Sequence, residues 1–301
     1  MMAKIYIGIS GWRYPPWRGV FYPPKLTQAR ELEFASRAAR SIEINGSFYS
    51  LQRPESYAAW YAATPPDFKF SVKGNRYLTH ILRLRDIETP LANVFASGVF
   101  NLREKLGPFL WQFPPSFRYA PEQLEHFLSL LPHDTEQALS LARKRDSRMK
   151  GRTRLAIDAN RPLRHAMEIR HSSFINASFI TLLRKYRVAL VVADTADKWP
   201  YREDVTSDFM YLRLHGDKEL YASGYTEEAL DRWTMRITAW NNGDEPEDAQ
   251  RIAADKAPAA TSRDVYCYFD DDIKVRAPFD ARRLSEKLGV DEGLTPFTLQ
   301  P

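Results

Sequence analysis

Eight short runs rich in β-branched and aromatic residues, separated by helix-compatible stretches, constrain this chain more than any other feature. They fall at residues 4–10, 41–49, 68–73, 108–113, 166–170, 188–194, 209–215 and 265–270. Strands that alternate with helices signal βα units and a parallel sheet. Apolar residues at helical spacing predict helices over 26–39, 54–63, 121–131, 173–186, 226–240 and 277–288. Pro54 and Pro121 stand at tolerated first-turn positions. Ser172-Ser173 reads as a helix cap, and Glu227 and Glu228 lie where a helix N-terminus favours acids. Eight such units suit a closed (β/α)8 barrel better than an open doubly wound sheet. No glycine-rich dinucleotide fingerprint follows the first strand, and no Walker-type phosphate loop is present. Barrels of this length are commonly one unit, so a single domain over 1–301 is expected.

The formal charge of +5 permits an anionic partner without requiring one. Much of the excess sits in the cationic run 143–154, inside a basic insertion expected at about 133–160. The acidic counterweight, Asp244, Glu245, Glu247 and Asp248, lies in a second insertion at about 243–262. Charge runs are usually solvated loops, and both are expected at the surface. Cys267 is the only cysteine, so no internal disulfide can form, which fits a reducing cytoplasm. The opening turns polar by Ser10, too soon for a signal-peptide core, and no apolar stretch approaches the length of a membrane span. A cytoplasmic protein without membrane contact is expected.

In a barrel enzyme, catalytic side chains sit at the C-terminal ends of strands, and alternate residues point inward. Counting by twos offers Glu43 and Asn45 from the second strand, Ser71 and Lys73 from the third, and Gln112 from the fourth. The fifth offers Glu168 and Arg170, and the sixth ends at Asp194. The seventh offers Tyr211, Arg213 and His215, the eighth Tyr268 and Asp270. Buried charges are costly unless paired, so this set describes either an internal ion network or a pocket. A pocket at the strand C-termini is the expectation. Aromatics crowd the loop after the first strand: Trp12, Tyr14, Trp17, Phe21 and Tyr22. Interleaved prolines favour a packed cover there, although flat rings at a mouth can also stack a ligand, and Trp12 is counted as a binding candidate.

These motifs resemble the YecE-like proteins, also called domain of unknown function 72. The resemblance rests on Gly8-Ile9-Ser10-Gly11-Trp12 with Phe21-Tyr22-Pro23, on Ile42-Glu43-Ile44-Asn45, and on Phe68-Lys69-Phe70 with Lys73. It continues through Gln112-Phe113-Pro114-Pro115, Glu168-Ile169-Arg170-His171, Arg213-Leu214-His215-Gly216 and Tyr268-Phe269-Asp270, nearly the whole chain. It implies a barrel of the triosephosphate-isomerase (TIM) type and no particular reaction. This chain departs from the family in Phe174, where tryptophan is common, in acids at Asp270 and Asp271, where asparagine is common, and in the basic run.

The pocket chemistry reads as follows. Glu43, Glu168, His215 and Asp194 are the candidate catalytic groups. Trp12, Asn45, Lys73, Gln112, Arg170, Arg213, Tyr268 and Asp270 are the candidate substrate-binding groups. Arginine forks and a lysine suit a phosphate or carboxylate, and a carboxylate beside a histidine suits acid–base work. A hydrolase of a phosphoester, nucleotide or nucleic acid is expected, with Glu43 or Glu168 as base. The alternatives are a non-catalytic nucleic-acid binder using the run 143–154, and an anion-sensing barrel. No metal site is expected, because no His-Glu-x-x-His spacing occurs and the arginines and lysine oppose a divalent ion. No cofactor can be named. His80, His126, His133 and His165 are expected in helices or loops without a role, and His171 either as a cap or brace of the site or as a catalytic group.

Overall fold

The computed structural model describes residues 3–216, 224–270 and 275–297. The eight strands are β1 Ile5–Ser10, β2 Ser41–Ile44, β3 Lys69–Lys73, β4 Leu106–Gln112, β5 His165–Glu168, β6 Val188–Asp194, β7 Phe209–Leu214 and β8 Asp264–Phe269. They pair in sequence order, all parallel, and β8 closes on β1 from Ile5↔Val265 to Ile9↔Phe269. The fold is a (β/α)8 barrel. Its α-helices are α1 Glu31–Ala38, α2 Gly46–Tyr49, α3 Pro54–Ala63, α4 Glu88–Ala96, α5 Pro121–Leu130, α6 Thr135–Ala142, α7 Ala177–Lys185, α8 Glu227–Asn241 and α9 Ala277–Lys287. Among the described residues no helix is long and apolar enough to cross a membrane.

Alternation along the strands divides the core in two. Outward residues such as Ile42, Ile44, Phe109, Trp111, Met210, Leu212, Leu214 and Cys267 pack against the helices. Inward residues form a separate inner core of Tyr6, Leu110, Ala166, Ala189, Val191, Ala193, Phe209, Tyr211, Tyr266 and Tyr268. Small alanines on β5 and β6 leave room for the tyrosines of β7 and β8. The interior is filled, not open, until the strand ends.

Several local expectations are corrected. The second strand stops at Ile44 rather than 49, because Asn45 turns into αR geometry (φ −91°, ψ −27°) and starts the single turn α2. The helix expected over 173–186 begins at Ala177, capped by Asn176, whose Oδ1 accepts from the Ser178 N–H at 2.9 Å. Ser172 and Ser173 lie instead in a 3₁₀ turn, Ser172–Phe174. Helix α4 was not anticipated, and the basic segment begins with helix α6, capped by Asp134. Beyond it, Arg143, Lys144, Arg148 and Arg152 are exposed as expected. The acidic segment is tied down, with Asp248 paired to Arg236 at 2.8 Å and the Asp244 carbonyl accepting from Arg263 at 3.0 Å.

His165 lies in strand β5 rather than a loop or helix. It is fully buried on the outer face, accepting from Trp111 Nε1 at 3.1 Å on Nδ1, with Nε2 2.6 Å from the Pro132 carbonyl. Burial pushes its pKa down to about 3, so it is a neutral packing residue. Of the two roles open to His171, its geometry is that of a cap, with Nδ1 accepting from the Ser173 N–H at 3.0 Å. Asp271 lies outside the described residues.

Candidate functional site

Inward-facing residues at the ends of β2, β5 and β7 meet in a buried charge cluster centred on Arg213. Its Nε and Nη2 donate to the two oxygens of Glu43 at 3.1 and 2.9 Å. Its Nη1 donates to Glu168 Oε2 at 2.6 Å, and Nη2 also contacts Asp270. Glu43 further accepts from Ser10 Oγ at 2.7 Å and from the Tyr211 hydroxyl at 2.6 Å. Glu168 accepts from Arg170 Nε at 2.9 Å and Gln112 Nε2 at 3.3 Å. His215 Nδ1 lies 3.2 Å from Asp270. Charges stripped of water survive only when paired and hydrogen-bonded, and here nearly every donor and acceptor is matched.

Titration follows from that packing. Burial alone would raise the Glu168 carboxyl, but Arg213 and then Arg170 outweigh it and hold it far below the usual carboxylate range. Asp270 behaves alike: burial raises it, while Arg213, His215 and Lys73 bring it down to about 2. Burial lowers His215 to about 4 despite the pull of Asp270, so its ring is neutral. Burial opposes the Arg213 charge, but Asp270, Glu43 and Glu168 raise its pKa well above the arginine value.

Above the cluster opens a cavity of about 570 Å³ at the strand C-termini. Trp12, Tyr14, Phe48, Tyr49 and Trp60 form its aromatic wall, and Asn45, Lys73, Gln112, Arg170 and Asp270 supply its polar groups. Gly11 makes the wall possible: its φ of +76° suits glycine, and a Cβ there would lie 2.6 Å from the Tyr14 hydroxyl. The turn brings the Tyr14 hydroxyl onto the Ser10 carbonyl at 2.6 Å and sets Trp12 edge-on to Trp60 at 5.3 Å. Trp17, Phe21 and Tyr22 are packed beneath as a cover, as the prolines suggested. A second depression, about 630 Å³, opens where the strands begin, between Tyr6, Lys69, Arg164 and Tyr266. The strand C-terminal cavity is the candidate site, because barrel chemistry sits at that end and the buried ions around Arg213 converge directly beneath it.

The sequence-derived candidates separate into three groups. Trp12, Asn45, Lys73, Gln112, Arg170 and Asp270 line the cavity. Glu43, Glu168, Arg213 and His215 lie beneath it with fully buried side chains, committed to one another. Two candidates fall outside both groups. Tyr268 faces inward but one layer lower, where its hydroxyl meets Ser41 Oγ at 2.7 Å. Asp194 follows Val188, Leu190 and Val192, the outward set of β6, and so leaves the barrel. It accepts from the Tyr225 hydroxyl at 3.0 Å and borders a different depression with Tyr201 and Arg236.

Residues not singled out from the sequence complete the site. Ser10 follows the inward alternation of β1 and was legible there. Trp60 on α3 and Trp199, whose ring stacks 3.6 Å from the Arg170 guanidinium, arrive from remote segments without a local signal. Among the described residues no group of three or more His, Cys, Asp or Glu side chains is arranged to hold a metal ion.

The model of the family described as "Protein of unknown function DUF72" matches residues 6–300. The chain is similar to UPF0759 protein YecE of Escherichia coli (strain K12), 30% identical over 131 residues, 42% of this chain and 44% of that protein. It is also similar to UPF0759 protein YunF of Bacillus subtilis (strain 168), 29% identical over 127 residues, 40% of this chain and 44% of that protein. The matched stretch spans less than half the length of these relatives. A solved DUF72 family protein from Thermotoga maritima MSB8 shares the fold with a TM-score of 0.70 and 24% identity, covering 95% of this chain and 99% of that one. Another, from Enterococcus faecalis V583, gives 0.66 and 15% identity, covering 98% and 100%. With a family match running from Tyr6 nearly to its last residue, this chain belongs to the DUF72 family.

Proposed function

We propose that this protein is an enzyme acting on a small anionic organic substrate, bound through a phosphate or carboxylate in the barrel-mouth cavity. One observation carries the reading. The glutamates Glu43 and Glu168 are consumed by Arg213 below the floor, so among the described residues the charges that line the cavity are Arg13, Lys73 and Arg170 against Asp270. Among the described residues Arg170 uses only Nε on Glu168, leaving both terminal nitrogens of its fork for a ligand. Phosphoester hydrolysis by a glutamate base fits this arrangement poorly, since neither glutamate reaches the cavity. Among the described residues, the side chains reaching it that could exchange a proton are Lys73, Asp270, Tyr14 and Tyr49. Calorimetric titration with inorganic phosphate and with pyruvate tests the reading. Binding that weakens at least tenfold in Arg170→Gln supports it. Equal affinity in both proteins, or no binding of either anion to the wild type, removes it.

A second reading, a nucleic-acid binder, is favoured by Tyr49. This ring is 71% exposed and borders both the cavity and a groove of about 330 Å³ that leads to Arg148 and Arg152. Flat rings beside cations suit stacked bases and phosphates. Binding of labelled single-stranded DNA that falls steeply with salt would favour it, and a flat salt response would remove it.

A further inference from the structure

We propose that Lys73 forms a covalent imine with the carbonyl carbon of the substrate, which is therefore a 2-keto acid or a phosphorylated aldehyde or ketone. The anionic half of that substrate rests on the reading above; the carbonyl half rests on Lys73 alone.

Lys73 is the last residue of β3, and alternation turns it inward with Ser71. Its position at the strand end lifts it clear of the Ser71 layer and into the cavity. Only 8% of the residue is exposed. Among the described residues its Nζ makes no hydrogen bond and no ion pair, and it sits over the Phe48 ring, 4.3 Å from the centroid. A buried ammonium carries three donors and ordinarily collects acceptors for them. Lys105 in the same protein shows that ordinary case. It too is buried, and its Nζ donates to the Tyr61 carbonyl at 2.7 Å, the Thr64 carbonyl at 2.8 Å and Thr64 Oγ1 at 3.1 Å. Lys105 is a structural tie. Lys73 has the burial without the ties, and the cavity is where its nitrogen can find a partner.

The surroundings favour a free amine. Burial and then the like charge of Arg213 lower its pKa to about 8, against the pull of Asp270, Glu43 and Glu168. At pH 7 about a tenth of such amines are neutral, about 300-fold more than for an ordinary lysine. A desolvated lysine beside another cation is a recognised way to make this nucleophile.

The step balances without an oxidant or reductant. The neutral nitrogen attacks the carbonyl carbon, a C–N bond forms, and the C=O electron pair moves to oxygen. That oxygen takes up two protons and leaves as water, giving C=N with one proton retained on nitrogen. The net change is ammonium plus carbonyl to protonated imine plus water. Asp270 also lines the cavity, and the proton relay is assigned to it. The iminium keeps the positive charge of the ammonium, so the balance with Asp270, Glu43 and Glu168 is undisturbed. Arg170 and Gln112 border the space where the anionic group would lie.

Reductive trapping tests this. The protein is incubated with sodium cyanoborohydride and, separately, pyruvate, dihydroxyacetone phosphate or acetone, and each modified lysine is located by peptide mass spectrometry. The expected result is a reduced adduct of pyruvate or dihydroxyacetone phosphate on Lys73, at least tenfold above any other lysine and absent from that position in Lys73→Arg. Competitive acetylation across pH should also show Lys73 reacting with a midpoint near 8. Anion binding by calorimetry without preferential trapping, or a midpoint near that of surface lysines, overturns the imine and spares the anion reading. Trapping on Lys73 by acetone as readily as by pyruvate keeps the imine and removes the anion.

Discussion

Glu43 on β2 and Arg213 on β7 grip each other across the barrel through two hydrogen bonds, 2.9 and 3.1 Å long, with neither side chain exposed to solvent. The strands are separated in the closed sheet by β8 and β1, so this fork spans the barrel interior at the level just below the cavity. Removing one partner strands the other in a dry interior, which costs about 3–5 kcal/mol. Glu43→Gln should lower urea-unfolding stability by about that amount. Arg213→Met should be worse, because Glu43, Glu168 and Asp270 would face one another uncompensated. Unfolding midpoints equal to wild type would show that the fork contributes nothing.

Lys73 should behave oppositely. Its pKa falls from 10.5 in the unfolded chain to about 8 in the fold. Between those values the unfolded chain holds a proton that the folded chain has released, so stability climbs with pH across that window. Below pH 8 the folded protein bears the whole penalty, up to about 3 kcal/mol. Lys73→Met should therefore be the more stable protein at pH 7, with the advantage fading towards pH 10.5. Urea denaturation at both ends of the window checks the sign.

Acid sensitivity should appear in two stages. His215 falls from 6.5 to about 4 on folding, mainly through burial, so its contribution is full above 6.5 and lost as pH drops towards 4. Asp270 falls from 3.8 to about 2, through Arg213 overcoming burial, so its contribution is lost over that lower range. Circular dichroism melts from pH 7 to pH 2 should show a first decline between pH 6.5 and 4. Buried His165 and half-buried His80 are depressed over the same range, so His215→Gln should shrink that first stage without abolishing it and leave the second.

Trp199 should matter to the anion although it does not line the cavity. Its ring holds the Arg170 guanidinium at 3.6 Å, and such stacking is worth about 0.5–2 kcal/mol. Trp199→Leu should weaken phosphate binding by about 3- to 30-fold through loss of that orientation. Calorimetry on a variant with an unchanged melting curve would isolate the effect, and undiminished affinity would show that Arg170 is held by Glu168 alone.

The division between the readable and the unreadable falls along physical lines. Strand alternation is a local consequence of the extended backbone, and counting by twos identified the inward positions Glu43, Lys73, Gln112, Glu168 and Arg213 without knowledge of the fold. Asp194 was misassigned because that same count was not applied: it belongs to the outward set of β6 with Val188, Leu190 and Val192. Tyr268 was assigned to the right side and the wrong depth, since register across the closed sheet sets the height of each inward residue.

Sequence by itself determined the eight strands, most of the helices between them, the inward charges and the aromatic loop, because each is written in spacing over a few residues. Only the tertiary structure decided which charges pair below the floor and which reach the cavity. Barrel closure brings the end of β2 within reach of β7, leaves the Lys73 ammonium without a hydrogen bond or ion pair among the described residues, and delivers Trp60 and Trp199 from segments far along the chain. Those outcomes depend on register and closure, which are properties of all eight strands together and of no single stretch.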